Sequence, residues 1–126
     1  MKKFNISIGF IGGGRITGII LQALKKQGIS CKEIIVYDPD SWQFEKLRSV
    51  NEQIEPLENA AEAVEADLVF LAVHPPEVKS SLEAIKDTIK PGTVLVSLAP
   101  KIKMDTITQV IYPSTMNLFR KCTGTY

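Results

Sequence analysis

The stretch IGFIGGGRITGIILQALKKQG, Ile8 to Gly28, sets three glycines in a row between an apolar run and a run with helical spacing. That junction constrains the fold more than any other feature of the chain. Each glycine in an ordered element costs about 0.5–1 kcal/mol relative to alanine through lost chain entropy, and a tight strand-to-helix turn alone rarely needs three of them. Backbone that a ligand must approach closely accounts for them better.

What surrounds the junction repeats along the chain. Short apolar, β-branched runs at Ile6–Ile11, Glu33–Asp38, Asp67–Val73 and Thr93–Leu98 read as strands. Arg15–Gln27 lies between the first two, with Ile16, Ile19, Ile20, Ala23 and Leu24 on one helical face and Gly28 as a stop. Ser41–Val50 reads as a second helix capped by Asp40 or Ser41, Asn59–Ala66 as a short third, and Pro76–Ile89 as a fourth ended by Pro91-Gly92. FLAV and VLVSLA lack polar alternation, as central strands covered on both faces do. One more strand is expected near Val110–Tyr112. Alternation of this kind predicts an α/β fold, a Rossmann-type doubly wound parallel sheet in three layers.

Composition narrows the function classes. A chain of 126 residues, 44% hydrophobic and 23% charged, has the size and balance of one globular domain, residues 1–126. Fifteen basic residues face 14 acidic ones, and the basic residues are scattered, so nucleic acid is not an expected partner. No apolar run approaches the roughly 20 residues of a membrane span. Cys31 and Cys122 stand far apart without a CxxC or a histidine pair, so neither a disulfide framework nor a metal site is signalled, and a reducing cytoplasm fits best. The amino terminus is positive and then apolar, but it runs into the glycines and Arg15 without a convincing cleavage site, and reads as the first strand.

Gly12-Gly13-Gly14 follows a predicted strand and opens a predicted helix, the context in which GxGxx(G/A) signals dinucleotide binding. In that motif the first glycine makes the turn, the second lets a pyrophosphate reach the backbone, and a third small residue lets helix and strand cross closely. Thr17 stands at the third position, a departure that adds a β-branch there. Arg15 in the helix's first turn opposes the macrodipole unless an anion binds; it either contacts phosphate or points into water. Asp38, roughly 20 residues beyond the motif at the end of the second strand, is placed to accept from ribose hydroxyls. A carboxylate there disfavours a 2′-phosphate, so the cofactor is NAD or NADP with NAD slightly favoured. Asp-Pro-Asp is equally a good turn and cap sequence. Lys46 and Arg48 lie too far along to define a phosphate pocket.

These motifs, with ADLVFLAVHPPEV, resemble the N-terminal domain of the pyrroline-5-carboxylate reductase family and, less closely, the related F420-dependent NADP reductase type of domain. The family's run close to GFIGxGxMAxA is met as GFIGGGRITGI, and its ADxVFLAVKPxxV as ADLVFLAVHPPEV. Its VSxAAGxxxxxL and RVMPNTP are met in degraded form, as VSLAPKIKMDTI and QVIYPSTM. The resemblance implies a clamp of several loops. Gly12, Gly13, Gly14, Arg15 and Ile16 would take the pyrophosphate, and Asn59 the adenosine side unless it serves only as a helix cap. Ala72, Val73, His74, Pro75 and Ala99 would run toward the nicotinamide. His74 replaces the family's usual lysine, Pro100 and Lys101 replace small residues, and Ser114 stands where the family has asparagine. No residue of the chain stands out as a catalytic general acid. The family's C-terminal helical domain, which builds a homo-oligomer and helps bind substrate, has no counterpart in residues 1–126. The implied activity is hydride transfer to a cyclic imine, giving proline. An F420-linked or hydroxyacid-type dehydrogenase domain and a non-catalytic nucleotide-sensing module are the rival expectations.

Overall fold

The computed structural model describes residues 2–98, Ile107 and residues 119–121. The chain forms β1 (Lys2–Ile11), α1 (Arg15–Lys26), β2 (Ile29–Tyr37), α2 (Ser41–Val50) and β3 (Ile54–Pro56). It continues through α3 (Ala60–Ala63), β4 (Leu68–Leu71), α4 (Pro75–Ile85), β5 (Val94–Ser97) and β6 (Phe119–Lys121). The strands form one sheet in the order β3-β2-β1-β4-β5-β6, every pairing parallel. From β1 the chain builds outward through β2 and β3, then crosses back to add β4 to the other side of β1. The sheet is therefore doubly wound, and its switch point lies between β1 and β4.

Alternate residues of each central strand feed two cores. Ile8 and Phe10 of β1 join Ile34 and Val36 of β2 beneath Leu21 of α1 and Phe44 and Leu47 of α2. On that face Phe10 and its register partner Phe70 stack with ring centroids 5.1 Å apart. Ile11 and Ile35 point the other way, with Val69 and Leu71 of β4, against Ala63 of α3 and Val78, Leu82 and Ile85 of α4. Helices thus cover both faces of the sheet, giving three layers.

The elements keep their predicted order, with some shifts of bounds. β1 and β2 begin earlier than expected, pairing Lys2–Phe4 with Ile29–Cys31 before a register shift ahead of Ser7. β4 and β5 are shorter than read, α3 closes after Ala63, and α4 starts at Pro75 and ends at Ile85. β3 and β6 were not expected; the strand read near Val110–Tyr112 lies outside the described residues. The cap of α2 is Asp40, whose carboxylate accepts from the Trp42 N–H at 3.0 Å.

The apolar stripe of α1 is corrected. Its deepest residues are Thr17 and Leu21, flanked by Ile20 and Leu24, whereas Ile19 is 52% exposed. The stripe is wider than the buried face because part of it borders a cleft at the carboxyl edge of the sheet.

Candidate functional site

The glycine loop joins three strand ends. The Gly12 N–H donates to the Tyr37 carbonyl at the end of β2 (2.8 Å), and the Ala72 N–H beyond β4 donates to the Ile11 carbonyl (2.8 Å). Gly12 has φ +109°, and a Cβ on it would lie 2.5 Å from the Ala72 carbonyl oxygen. Backbone shape and neighbour both demand glycine here. A Cβ on Gly13 would come within 3.2 Å of Asp38 and Leu47, while one on Gly14 would meet nothing within 4 Å. The first two glycines therefore serve internal packing, and the third leaves open space.

That space adjoins the N-terminus of α1. Gly14 caps the helix without a side-chain bond, and the first turn holds no acidic residue. The first intrahelical bond runs from the Gly18 N–H to the Gly14 carbonyl at 3.1 Å. The N–H groups of Arg15, Ile16 and Thr17 find no acceptor among the described residues, as the first turn of a helix dictates unless something caps it. These donors and the helix's positive end suit an anion.

A cleft of about 1070 Å³ opens above this turn, across the carboxyl ends of β1, β2 and β4. Gly12, Gly13, Gly14, Arg15 and Ile16 form its floor, Asp38 and Asn59 one side, and Ala72, Val73, His74 and Pro75 the other. Every sequence-predicted site residue among the described ones lines this single space. Ala99 lies outside the described residues, as do Pro100, Lys101 and Ser114.

The charged groups are unevenly placed. Asp38 and Asp40 line the end beyond β2, Glu77 lines the α4 wall, and Arg15, the first residue of α1, lines the cleft with no ion pair among the described residues. The Asp38 carboxylate is held twice, Oδ2 accepting from the Gly13 N–H at 2.7 Å and Oδ1 from the Asp40 N–H at 2.8 Å. Two of its roughly four lone-pair positions stay open. Asn59 forms a capping box with Glu62: its side chain accepts from the Glu62 N–H at 3.1 Å, and Glu62 accepts from the Asn59 N–H at 3.2 Å. The cap role is thus realised, with the amide NH₂ left to donate. His74 is the N-cap of α4 and uses no side-chain cap bond.

Residues 7–101 match the family described as NADP oxidoreductase, coenzyme F420-dependent. The chain belongs to this family. A curated relative, the pyrroline-5-carboxylate reductase of Pseudomonas aeruginosa, is 34% identical over 96 residues, 75% of this chain and 35% of that protein. The chain spans well under half the length of each curated relative it matches. Among solved structures, the pyrroline-5-carboxylate reductase of Coxiella burnetii superposes with a TM-score of 0.79 at 23% identity, over 88% of this chain and 42% of that one. The NADP-bound pyrroline carboxylate reductase of Plasmodium falciparum gives 0.71 at 18% identity, over 88% of this chain and 40% of that one. At such identities the structures speak for the fold alone.

In this member of the F420-dependent NADP oxidoreductase family the cleft also recruits residues that the sequence did not mark as site residues. Asp40, Tyr37, Ile19, Glu77, Ser80 and Ser81 line it. Asp40 was legible as half of Asp-Pro-Asp, but only as a cap. The serines lie along α4, where nothing in PPEVKSSLEAI marks one face as facing a cleft. Thr17 is fully buried and donates its hydroxyl to the Gly12 carbonyl at 2.7 Å, which resolves the apparent misfit of a β-branched residue in the motif.

Proposed function

We propose that this chain is the NAD(P)-binding part of a cytoplasmic oxidoreductase that reduces the cyclic imine pyrroline-5-carboxylate to proline in proline biosynthesis. The observation that carries the reading is the glycine loop with its open space at Gly14, set against an uncapped helix N-terminus at the sheet's switch point. A dinucleotide fits those features. Its pyrophosphate would accept from the first-turn N–H groups, with Arg15 beside it, and its adenosine would lie along Asp38 and Asn59. The segment from Val73 to Pro75, with Ala99, would guide the other half toward the nicotinamide position.

A bound nicotinamide supplies a hydride to the imine carbon while a proton goes to nitrogen. The chain's own residues bind and orient. A homo-oligomer completed by further sequence fits the same reading.

The β2 end of the cleft presents two carboxylates, Asp38 and Asp40, neither in an ion pair among the described residues, while Arg48 lines a neighbouring hollow with Asp38. NADH is therefore the expected partner over NADPH, because a 2′-phosphate would face like charge. Calorimetric titration of the chain should give NADH the tighter binding by on the order of tenfold, about 1.4 kcal/mol. Asp38→Ser should narrow that gap toward NADPH. Equal affinities for both cofactors in parent and variant would remove Asp38 from the site, and absence of binding to either would sink the dinucleotide reading.

A further inference from the structure

The peptide unit between Gly12 and Gly13 is held at both ends by side chains distant from each other in sequence. Its carbonyl accepts from the Thr17 hydroxyl at 2.7 Å, and its N–H donates to Asp38 Oδ2 at 2.7 Å. A peptide flanked by two glycines lacks the Cβ contacts that normally select one orientation, so it can flip at low cost unless something holds it. We propose that Thr17 and Asp38 act together as positioning residues that lock this peptide in the orientation suited to an anion in the cleft. The inference rests on the dinucleotide reading above.

The consequence of the lock follows from where each end points. Thr17 is fully buried and does not line the cleft, so the Gly12 carbonyl is drawn beneath the first turn of α1. Asp38 does line the cleft, so the N–H points toward the ligand side. A flip would exchange the two. The carbonyl oxygen would then face the Asp38 carboxylate and the phosphate position, repelling both, and the buried Thr17 hydroxyl would lose its acceptor. Thr17 therefore does more than fill the small-residue position of the motif. Because Asp38 also faces the ribose position, one carboxylate couples the adenosine end of the cleft to the pyrophosphate floor.

The test uses the 126-residue chain with NADH and with ADP, which carries the pyrophosphate without the nicotinamide half. Thr17→Val keeps the shape and removes the donor; Thr17→Ser keeps the donor. Thr17→Val should weaken both ligands about 2- to 10-fold, the range a single net hydrogen bond spans, and should speed hydrogen exchange at the Gly13 amide in the free protein. Thr17→Ser should restore both values. In a cycle with Asp38→Ala, the cost of Thr17→Val should shrink, since the peptide is already free at one end. A lower melting temperature in Thr17→Val with unchanged ligand affinity and Gly13 exchange would overturn the proposal, as would a Thr17→Ser as impaired as Thr17→Val or strictly additive costs. If the parent binds neither ligand, the dinucleotide reading fails with it; if the parent binds and Thr17→Val binds equally, the lock alone fails.

Discussion

Gly12 and Gly14 are two positions apart, yet an added methyl group meets a carbonyl at one and open space at the other. The pair separates folding from binding. Gly12→Ala combines a positive φ with a 2.5 Å clash against Ala72, so it should destabilise by roughly 1–3 kcal/mol or more, seen as a lower denaturation midpoint. Gly14→Ala meets no neighbour and should cost less than about 1 kcal/mol as a cap change. On the dinucleotide reading its methyl group would occupy the anion cradle, so dinucleotide affinity should fall by tenfold or more; unchanged affinity would show that the cradle is not used. At the opposite end of the sheet Asp67 accepts from the Ser7 N–H at 3.0 Å and from its hydroxyl at 3.2 Å. Those bonds, the backbone one foremost, hold the Asp67 carboxyl below its ordinary 3.8. A lowered folded-state pKa means the clasp contributes in full above 3.8 and is lost as pH falls through the lowered value. The stability gap between the parent and Asp67→Asn should stay level from neutral pH down to about 5 and narrow at lower pH. A gap that widens on acidification would contradict the assignment.

Among the elements, those marked by an apolar run or a cap signal were legible, and β3, which has neither, was not. α1 and β1 announce themselves through spacing and the glycine junction. β3 has one buried residue, Ile54, followed by exposed Glu55 and Pro56, too little apolar pattern to separate from a loop. β2 is paired from Ile29, but Lys32 and Glu33 are both exposed and interrupt its apolar run. The early part of β1 carries Phe4 and Ile6 at 46% and 39% exposure, so its strand character comes from pairing with β2 and not from burial. α3 raises a sharper issue, since Asn59 was legible either as cap or as ligand contact and its geometry permits both. Asp at an N-cap serves as well as Asn but cannot donate. Asn59→Asp should therefore keep the melting temperature while weakening NADH, and Asn59→Ala should lower both, the stability loss being about 1 kcal/mol. If Asn59→Asp binds NADH as the parent does, Asn59 is a cap and nothing more.

At the scale of the molecule, doubly wound topology decides which sequence-distant residues meet. The glycine loop, Asp38 and the Ala72–Pro75 segment follow β1, β2 and β4, and Asn59 caps α3 on the way to β4; the parallel sheet gathers them around one cleft. That much could be read from motifs at strand ends. The serine-bearing wall of α4 could not, because its partner is a space and not a packed neighbour. The same openness limits chemistry. Ile16 and Ile19 of α1 border the cleft, and Ile19 keeps half its surface in solvent. Hydride transfer needs the acceptor carbon held close to the nicotinamide and shielded from water, and holding two reactants in register is worth several orders of magnitude in rate. Among the described lining residues, the Asp38 carboxylate accepts from two backbone N–H groups, and His74 stands at the N-cap of α4 without a side-chain cap bond. The 126-residue chain should consequently bind NADH yet reduce pyrroline-5-carboxylate at least about a thousandfold more slowly than a full-length reductase. The measurement is proline formed and NADH consumed over hours at saturating cofactor, with calorimetry on the same sample to establish binding. Robust turnover would mean that the open cleft already holds and protonates its substrate, and that a lining residue such as His74 is a catalytic acid.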